Sequence, residues 1–270
     1  MNDQTHNPSE IILLAGRGVY PIEFAMAARS AGIRKIFALG FTRETDTRLA
    51  KLVDEMKWVR MGQLQKALDI IGSYGIKHAV MVGQIAPRHL FSLLCMDAKV
   101  IKLLRKLKAK NAETIFGALA AELKTCDVTL IPAHSFMDSA MPKPGQLGGR
   151  LPTESELADI ELGKKVAKTI SGLDIGQTVI IKNGTVIAVE DFDGTDKAII
   201  RAGKIAGSGS VVVKAAKFGH DMRFDIPVVG TRTFKMLKKA KASVLAVEAG
   251  KTILLERSKL VDLAIKQNVA

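Results

Sequence analysis

Residues 11–21 read Ile-Ile-Leu-Leu-Ala-Gly-Arg-Gly-Val-Tyr-Pro, and the fold is decided there. Five apolar residues in a row, 11–15, fit a strand buried on both faces, as parallel sheets require. Gly16 and Gly18 then turn the chain, and a helical pattern follows Pro21. Strand, glycine turn and helix in that order open a βαβ unit. Outward from this point, a helical pattern at 22–31 leads to a second apolar run at 33–39, and further strand candidates follow at 79–82 and 128–131. The alternation predicts an α/β fold whose first domain is a Rossmann-like parallel sheet with helices. Ligands of such sheets lie across the carboxyl ends of the strands. Gly16, Gly18, Pro21, Gly83 and Gln84, which all follow predicted strands, are therefore candidate substrate-binding positions. The dinucleotide fingerprint needs a third glycine where Pro21 stands, and no Lys-Ser/Thr pair follows, which disfavours an NAD(P) oxidoreductase or a P-loop ATPase. Strand-to-helix turns also carry glycines for geometry alone.

The periodicity stops after residue 131. The stretch 132–152, PAHSFMDSAMPKPGQLGGRLP, is rich in Pro and Gly and reads as a boundary. The expected organisation is an N-terminal domain over 1–135, a linker over 136–152 and a C-terminal α/β mixed-sheet domain over 153–270. Thr153 and Glu156 form a capping-box pattern for a helix to about residue 170. Asn183-Gly184 between apolar runs at 178–182 and 185–190 predicts a hairpin. A helix from Gly194, a strand at 211–214, a helix near 231–241, strands at 244–247 and 252–255 and a terminal helix complete the second domain.

With 270 residues, 47% of them hydrophobic and 25% charged, the chain can bury a core without disulfides or structural zinc. Cys95 and Cys126 show no metal spacing, which fits a reducing, cytoplasmic setting. The first ten residues lack the pattern of a signal peptide, and no apolar run approaches the roughly 20 residues of a membrane span. A formal charge of +13, shared by both halves, favours anionic partners. Nucleic acid is disfavoured, because only 5% of residues are aromatic and none interleave a basic stretch. Asp97 is placed to cap a helix that carries Lys99, Lys102, Arg105, Lys106, Lys108 and Lys110 around an apolar stripe of Val100, Leu103, Leu104 and Leu107. Such a helix suits an anionic membrane surface, although a core stripe with a solvated charged face is the commoner meaning.

The densest cluster of chemically useful residues lies in the second half: Glu190, the Asp193-Gly194-Thr195-Asp196 turn, Lys214, Lys217 and the run from Asp221 through Arg223 to Asp225. Cleaving a diphosphate requires oxygen ligands for a hard divalent ion, cations on the phosphoryl oxygens and a group to handle water. All three types occur here. Asp221, Arg223 and Asp225 alternate, so on extended backbone they share one face, with Met222 and Phe224 opposite. A salt-bridged surface strand has the same spacing. The histidines, His6, His78, His89, His134 and His220, show no catalytic spacing, and nothing marks a covalent nucleophile.

Five segments, IILLAGRGVYP, HAVMVGQI, LDIGQTVIIKNGTVIAVEDFDGTD, VVVKAAKFGHDMRFDIPVVG and VLAVEAGKTILL, together resemble the LpxI family of UDP-2,3-diacylglucosamine pyrophosphatases over nearly the whole chain. The resemblance implies two domains with the substrate between them, and magnesium-dependent hydrolysis of UDP-2,3-diacylglucosamine to UMP and 2,3-diacylglucosamine 1-phosphate in lipid A biosynthesis. It also implies a homodimer. Asp225 matches the family's catalytic aspartate, and the resemblance makes Asp225 and Asp196 both the catalytic and the metal candidates. Glu190, Thr195, Lys214, Lys217 and Arg223 are implied substrate contacts. Phe218 and His220 depart from the family's usual proline and glutamine in that loop. A diacylated substrate gives the basic helix a purpose, contact with the inner face of the inner membrane.

Overall fold

The computed structural model describes residues 8–85, 96–107, 112–217, 219 and 221–270. The chain divides into two units, one made of Met1–Met137 with Asp221–Asp225, the other of Asp138–His220 with Ile226–Ala270.

The first unit is built on five parallel strands, β1 (Glu10–Ala15), β2 (Lys35–Phe41), β3 (Glu55–Val59), β4 (His78–Val82) and β5 (Thr129–Leu130), in the order β3-β2-β1-β4-β5. That order places β2 and β4 on opposite sides of β1, so the crevice between β1 and β4 is the switch point of a doubly wound sheet. Central β1 has Ile11, Ile12 and Leu13 with no exposure, which is why its sequence is apolar without alternation. Among the described residues this unit has the α-helices α1 (Tyr20–Ser30), α2 (Leu64–Ser73), α3 (Ala98–Lys106) and α4 (Ala112–Lys124). One cluster of its core joins Ile12, Leu14 and Leu39 to Leu68, Ile71, Ala120 and Leu123.

The second unit has a mixed sheet of β6 (Thr178–Lys182), β7 (Thr185–Val189), β8 (Val211–Lys214) and β10 (Val244–Val247) in the order β10-β8-β6-β7, and a short parallel pair, β9 (Val228–Val229) with β11 (Ile253–Leu254). Side chains alternate across the sheet: Val179, Ile181, Val211 and Val213 share a core with α5 (Glu154–Gly172), while Ile180 and Val212 pack with α6 (Thr195–Ala206), α7 (Thr231–Ala240) and α8 (Arg257–Gln267). Thr153 caps α5 in a complete capping box with Glu156. Asn183 and Gly184 both have positive φ, 49° and 73°, as a primed hairpin turn requires.

Two expectations change here. The Pro/Gly-rich stretch read as a linker is, from Asp138 onward, laid against the second unit. Gly149 has φ +72°, and a Cβ there would lie 1.8 Å from the Val269 carbonyl oxygen, so only glycine lets the chain pass. Arg150 grips Glu156 with two bonds of 2.7 and 2.5 Å and also reaches the Ser243 carbonyl. Further on, Asp221–Asp225 leaves the second unit for the first and is not extended. The Phe224 and Asp225 amides both donate to the Asp221 carbonyl (3.2 and 2.8 Å), and the Asp221 carboxylate accepts from the Arg223 amide, so the segment is a tight turn. No helix among the described residues is long and apolar enough to cross a membrane.

Candidate functional site

At the switch point, the loops after β1 and β4 are zipped together. The Gly16 amide donates to the Val82 carbonyl at 2.8 Å, and Arg17 and Gln84 exchange backbone bonds of 2.8 and 3.0 Å. A Cβ on Gly16 would lie 2.8 Å from the Gly83 carbonyl carbon. Close backbone approach therefore explains both glycines, and the Gly16 and Arg17 amides serve this bridge instead of facing a phosphate. Gly18 follows at φ +96° with open space around it, exposed to solvent. Pro21 is buried in the first turn of α1.

Beneath this bridge the first unit encloses a largely apolar cavity of about 160 Å³, lined by Leu14, Leu39, Leu68, Leu103, Ile115 and Phe116 among others. Helix α3 closes part of it with Val100, Leu103 and Leu104. Asp97 caps α3 by accepting from the Val100 amide (2.9 Å), and its other oxygen accepts from the Gln65 amide of α2 (2.7 Å). Val100, Leu103 and Leu104 of the apolar stripe are thus turned inward, while Lys102, Arg105 and Lys106 are exposed; the helix is shorter than expected, because Leu107 already has extended backbone (φ -80°, ψ 126°) and lies outside it. Lys99 pairs with Glu122 of α4 at 2.8 Å.

The Asp221–Asp225 turn is held to this same unit. The Ala133 amide donates to the Met222 carbonyl (2.8 Å). Phe224 packs against the core containing Leu14 and Leu39, with its ring 5.6 Å from that of Phe116. Arg223 chelates Asp221 with bonds of 2.5–3.1 Å and stands 5.7 Å from the Phe224 ring. Ala133 lies just beyond β5, whose ladder continues through the Ile131 amide to the Ala79 carbonyl. The turn bearing Asp225 therefore sits at the carboxyl-end edge of the parallel sheet.

The second unit carries a separate polar cluster at the start of α6. The Lys214 ammonium is buried and donates to the hydroxyls of Thr195 (3.0 Å) and Thr178 (3.3 Å), with Glu190 at 3.8 Å. The Thr195 hydroxyl donates to Glu190 at 2.7 Å, and the Gln177 amide reaches the same carboxylate. Burial works to raise the Glu190 carboxyl, but Lys214, the two threonines and the Gln177 amide outweigh it and hold the group below the usual carboxylate range. Buried and charge-paired, it is the most strongly built ionic group of the cluster.

The other residues of the expected constellation stand elsewhere. Asp196 is ion-paired with Arg232, Lys217 with Asp174 at 3.0 Å, and Asp193 with Lys197. The structure brings Glu190, Thr195 and Lys214 together in one unit, and Arg223 with Asp225 in the other. His6, His89, Cys95, Lys108, Lys110, Phe218 and His220 lie outside the described residues. Thr178 was missed by sequence reasoning, and its signal was the i, i+2 alternation that turns it to the polar end of β6. The apolar cavity was missed too.

Among the described residues, no three His, Cys, Asp or Glu side chains could hold a metal by themselves. Magnesium seldom needs such a cage. One or two carboxylates with waters and substrate phosphates suffice, so single carboxylates such as Asp225 fit an ion that arrives with a diphosphate.

Fold and groups define a class: a two-domain α/β protein with a doubly wound first domain, a carboxylate turn at its carboxyl end and a lysine–carboxylate cluster in the second. Within that class the chain belongs to the LpxI family, whose N-terminal domain description matches residues 10–140 and whose C-terminal domain description matches 143–270. It is 28% identical to the UDP-2,3-diacylglucosamine pyrophosphatase LpxI of Caulobacter vibrioides over 93% of this chain and 92% of that protein. Solved structures match only distantly. The biotin carboxylase domain of Hydrogenobacter thermophilus 2-oxoglutarate carboxylase with MgADP aligns at 12% identity and a TM-score of 0.30, over 67% of this chain and 36% of that one. A biotin carboxylase subunit of pyruvate carboxylase gives 15% and 0.29, over 73% and 41%. Neither carries an argument.

Proposed function

We propose that this chain hydrolyses the diphosphate of UDP-2,3-diacylglucosamine to UMP and 2,3-diacylglucosamine 1-phosphate. The observation that carries the reading is the family match over both halves of the chain; Asp225, likened to the family's catalytic aspartate by resemblance, lies in a turn at the carboxyl-end edge of the parallel sheet. The largely apolar pocket of the same unit supports a substrate with an acyl chain, since an apolar lining accepts apolar guests.

In this reading Asp225 orients the attacking water or an ion on the diphosphate. Bound with the substrate, magnesium would neutralise charge building on the phosphoryl oxygens, and Asp225 is the residue that would hold it. Asp196, anchored by Arg232, is the weaker metal candidate. Lys214, which donates to the Thr195 and Thr178 hydroxyls with Glu190 at 3.8 Å, offers its ammonium to a polar part of the substrate. The exposed Lys102, Arg105 and Lys106 of α3 face anionic headgroups when the enzyme collects its lipid substrate. The homodimer implied by resemblance belongs to the same proposal and is tested by light scattering.

The deciding experiment is UMP release from UDP-2,3-diacylglucosamine with and without magnesium, with Asp225→Asn alongside. Hydrolysis that needs the metal and falls by at least about a thousandfold in the variant, with substrate affinity little changed, establishes the reaction and its principal residue. Folded protein that binds the lipid yet releases no UMP under any divalent metal makes it a binding module instead.

A further inference from the structure

The residue that opens α1 is tied to the Asp225 turn through a single intermediary. The Tyr20 hydroxyl donates to the Ala133 carbonyl at 2.7 Å, inside the protein, and the Ala133 amide donates to the Met222 carbonyl at 2.8 Å. Ala133 thus takes a bond from the first helix on one side and gives one to the turn on the other. Tyr20 is 5% exposed, and burial pushes its phenol well above the usual range, so the hydroxyl stays a donor across the working range of pH. The turn itself is closed by the Phe224 and Asp225 amides on the Asp221 carbonyl. Phe224 anchors it through Phe116 and the core. The backbone bond from Ala133 to Met222 anchors it to the segment after β5.

We propose that Tyr20 is a positioning residue for the hydrolysis, setting Asp225 by holding residue 133, and through it the Asp221–Asp225 turn, in register with the loop after β1. The proposal rests on the reading of Asp225 above. Losing the hydroxyl leaves the aromatic packing of residue 20 intact but frees the Ala133 segment to shift by the tenths of an ångström that matter to a reacting carboxylate. The chemical step suffers, and binding of the substrate does not.

The test is Tyr20→Phe in the full-length protein, read by steady-state kinetics and by hydrogen exchange of residues 219–226. Tyr74→Phe, which alters another tyrosine of the same unit whose ring packs on Phe37, is the comparison. Expected are a kcat about tenfold lower with KM within twofold, exchange in the turn at least tenfold faster with the strands of the sheet unchanged, and neither effect in Tyr74→Phe. In an Asp225→Asn background, Tyr20→Phe should cost little further activity, because both act on one carboxylate. Unchanged exchange in the turn, a loss through KM alone, or full additivity with Asp225→Asn overturns the proposal. Wild-type protein that releases no UMP overturns the assigned reaction instead, and the exchange measurement still decides whether Tyr20 holds the turn.

Discussion

Glu156 shows how one residue does two jobs with one carboxylate. It closes the capping box of α5 by accepting from the Thr153 amide, and it takes both prongs of Arg150, which fastens residues 138–152 to the second unit. Hydrogen bonding from Arg150, against a burial effect that opposes it, lowers its carboxyl from 4.5 to about 2. A depressed carboxylate contributes stability above its unfolded value, lost as the pH falls from about 4.5 towards 2. Glu156→Gln should therefore remove on the order of 2 kcal/mol at pH 7, after allowing for the partly exposed guanidinium, and flatten the stability profile between pH 5 and 2. Urea unfolding at several pH values measures this. Equal losses at pH 7 and pH 2 would mean that packing, not charge, holds the strap.

At the scale of elements, α3 depends on its first residue. Asp97 caps the helix and also receives the Gln65 amide, so it joins α3 to the start of α2 at the edge of the apolar cavity. Asp97→Ala should cost about 1 kcal/mol in global unfolding and more than that in local opening of α3, seen as faster hydrogen exchange over residues 98–106. This helix, its cap and the first three residues of its stripe were legible because helix signals are local and periodic, while its end at Lys106 was not; the Thr153 capping box and the Asn183-Gly184 turn were legible for the same reason. Edge strand β3 was not read: Glu55-Met56-Lys57-Trp58 does alternate, but the run is short and its apolar positions are not sealed in a core, Trp58 being 36% exposed. The Asp221–Asp225 segment was misread for two physical reasons. An aspartate that bonds the amide two residues on competes with extended backbone, and Phe224 finds its place only through a contact more than a hundred residues away. So Asp225 could be singled out by resemblance, while its place in a turn of the first unit could not be read.

For the molecule as a whole, the formal charge of +13 and the cationic outer face of α3 act together. Association with vesicles containing anionic lipid should exceed that with zwitterionic vesicles and weaken with salt, since exposed charges are screened beyond about 8 Å at physiological ionic strength. Replacing Lys102, Arg105 and Lys106 by Gln should weaken it at least tenfold at low salt, at roughly 1 kcal/mol per residue near the surface. Cosedimentation measures the change. Binding that the triple variant leaves untouched would take α3 out of membrane contact.

The excursion of Asp221–Asp225 into the first unit also orders events during synthesis. A domain normally folds as its own stretch of chain leaves the ribosome, the N-terminal one first. Here the first unit lacks the residues that pack Phe224 against Phe116 until Asp225 has been made, a delay on the order of ten seconds after Met137 at bacterial elongation rates of roughly 5–20 residues per second. The nascent sheet waits with an apolar patch uncovered, and the same late residues that complete it bring the carboxylate, so this half of the protein finishes folding and acquires its aspartate in one step.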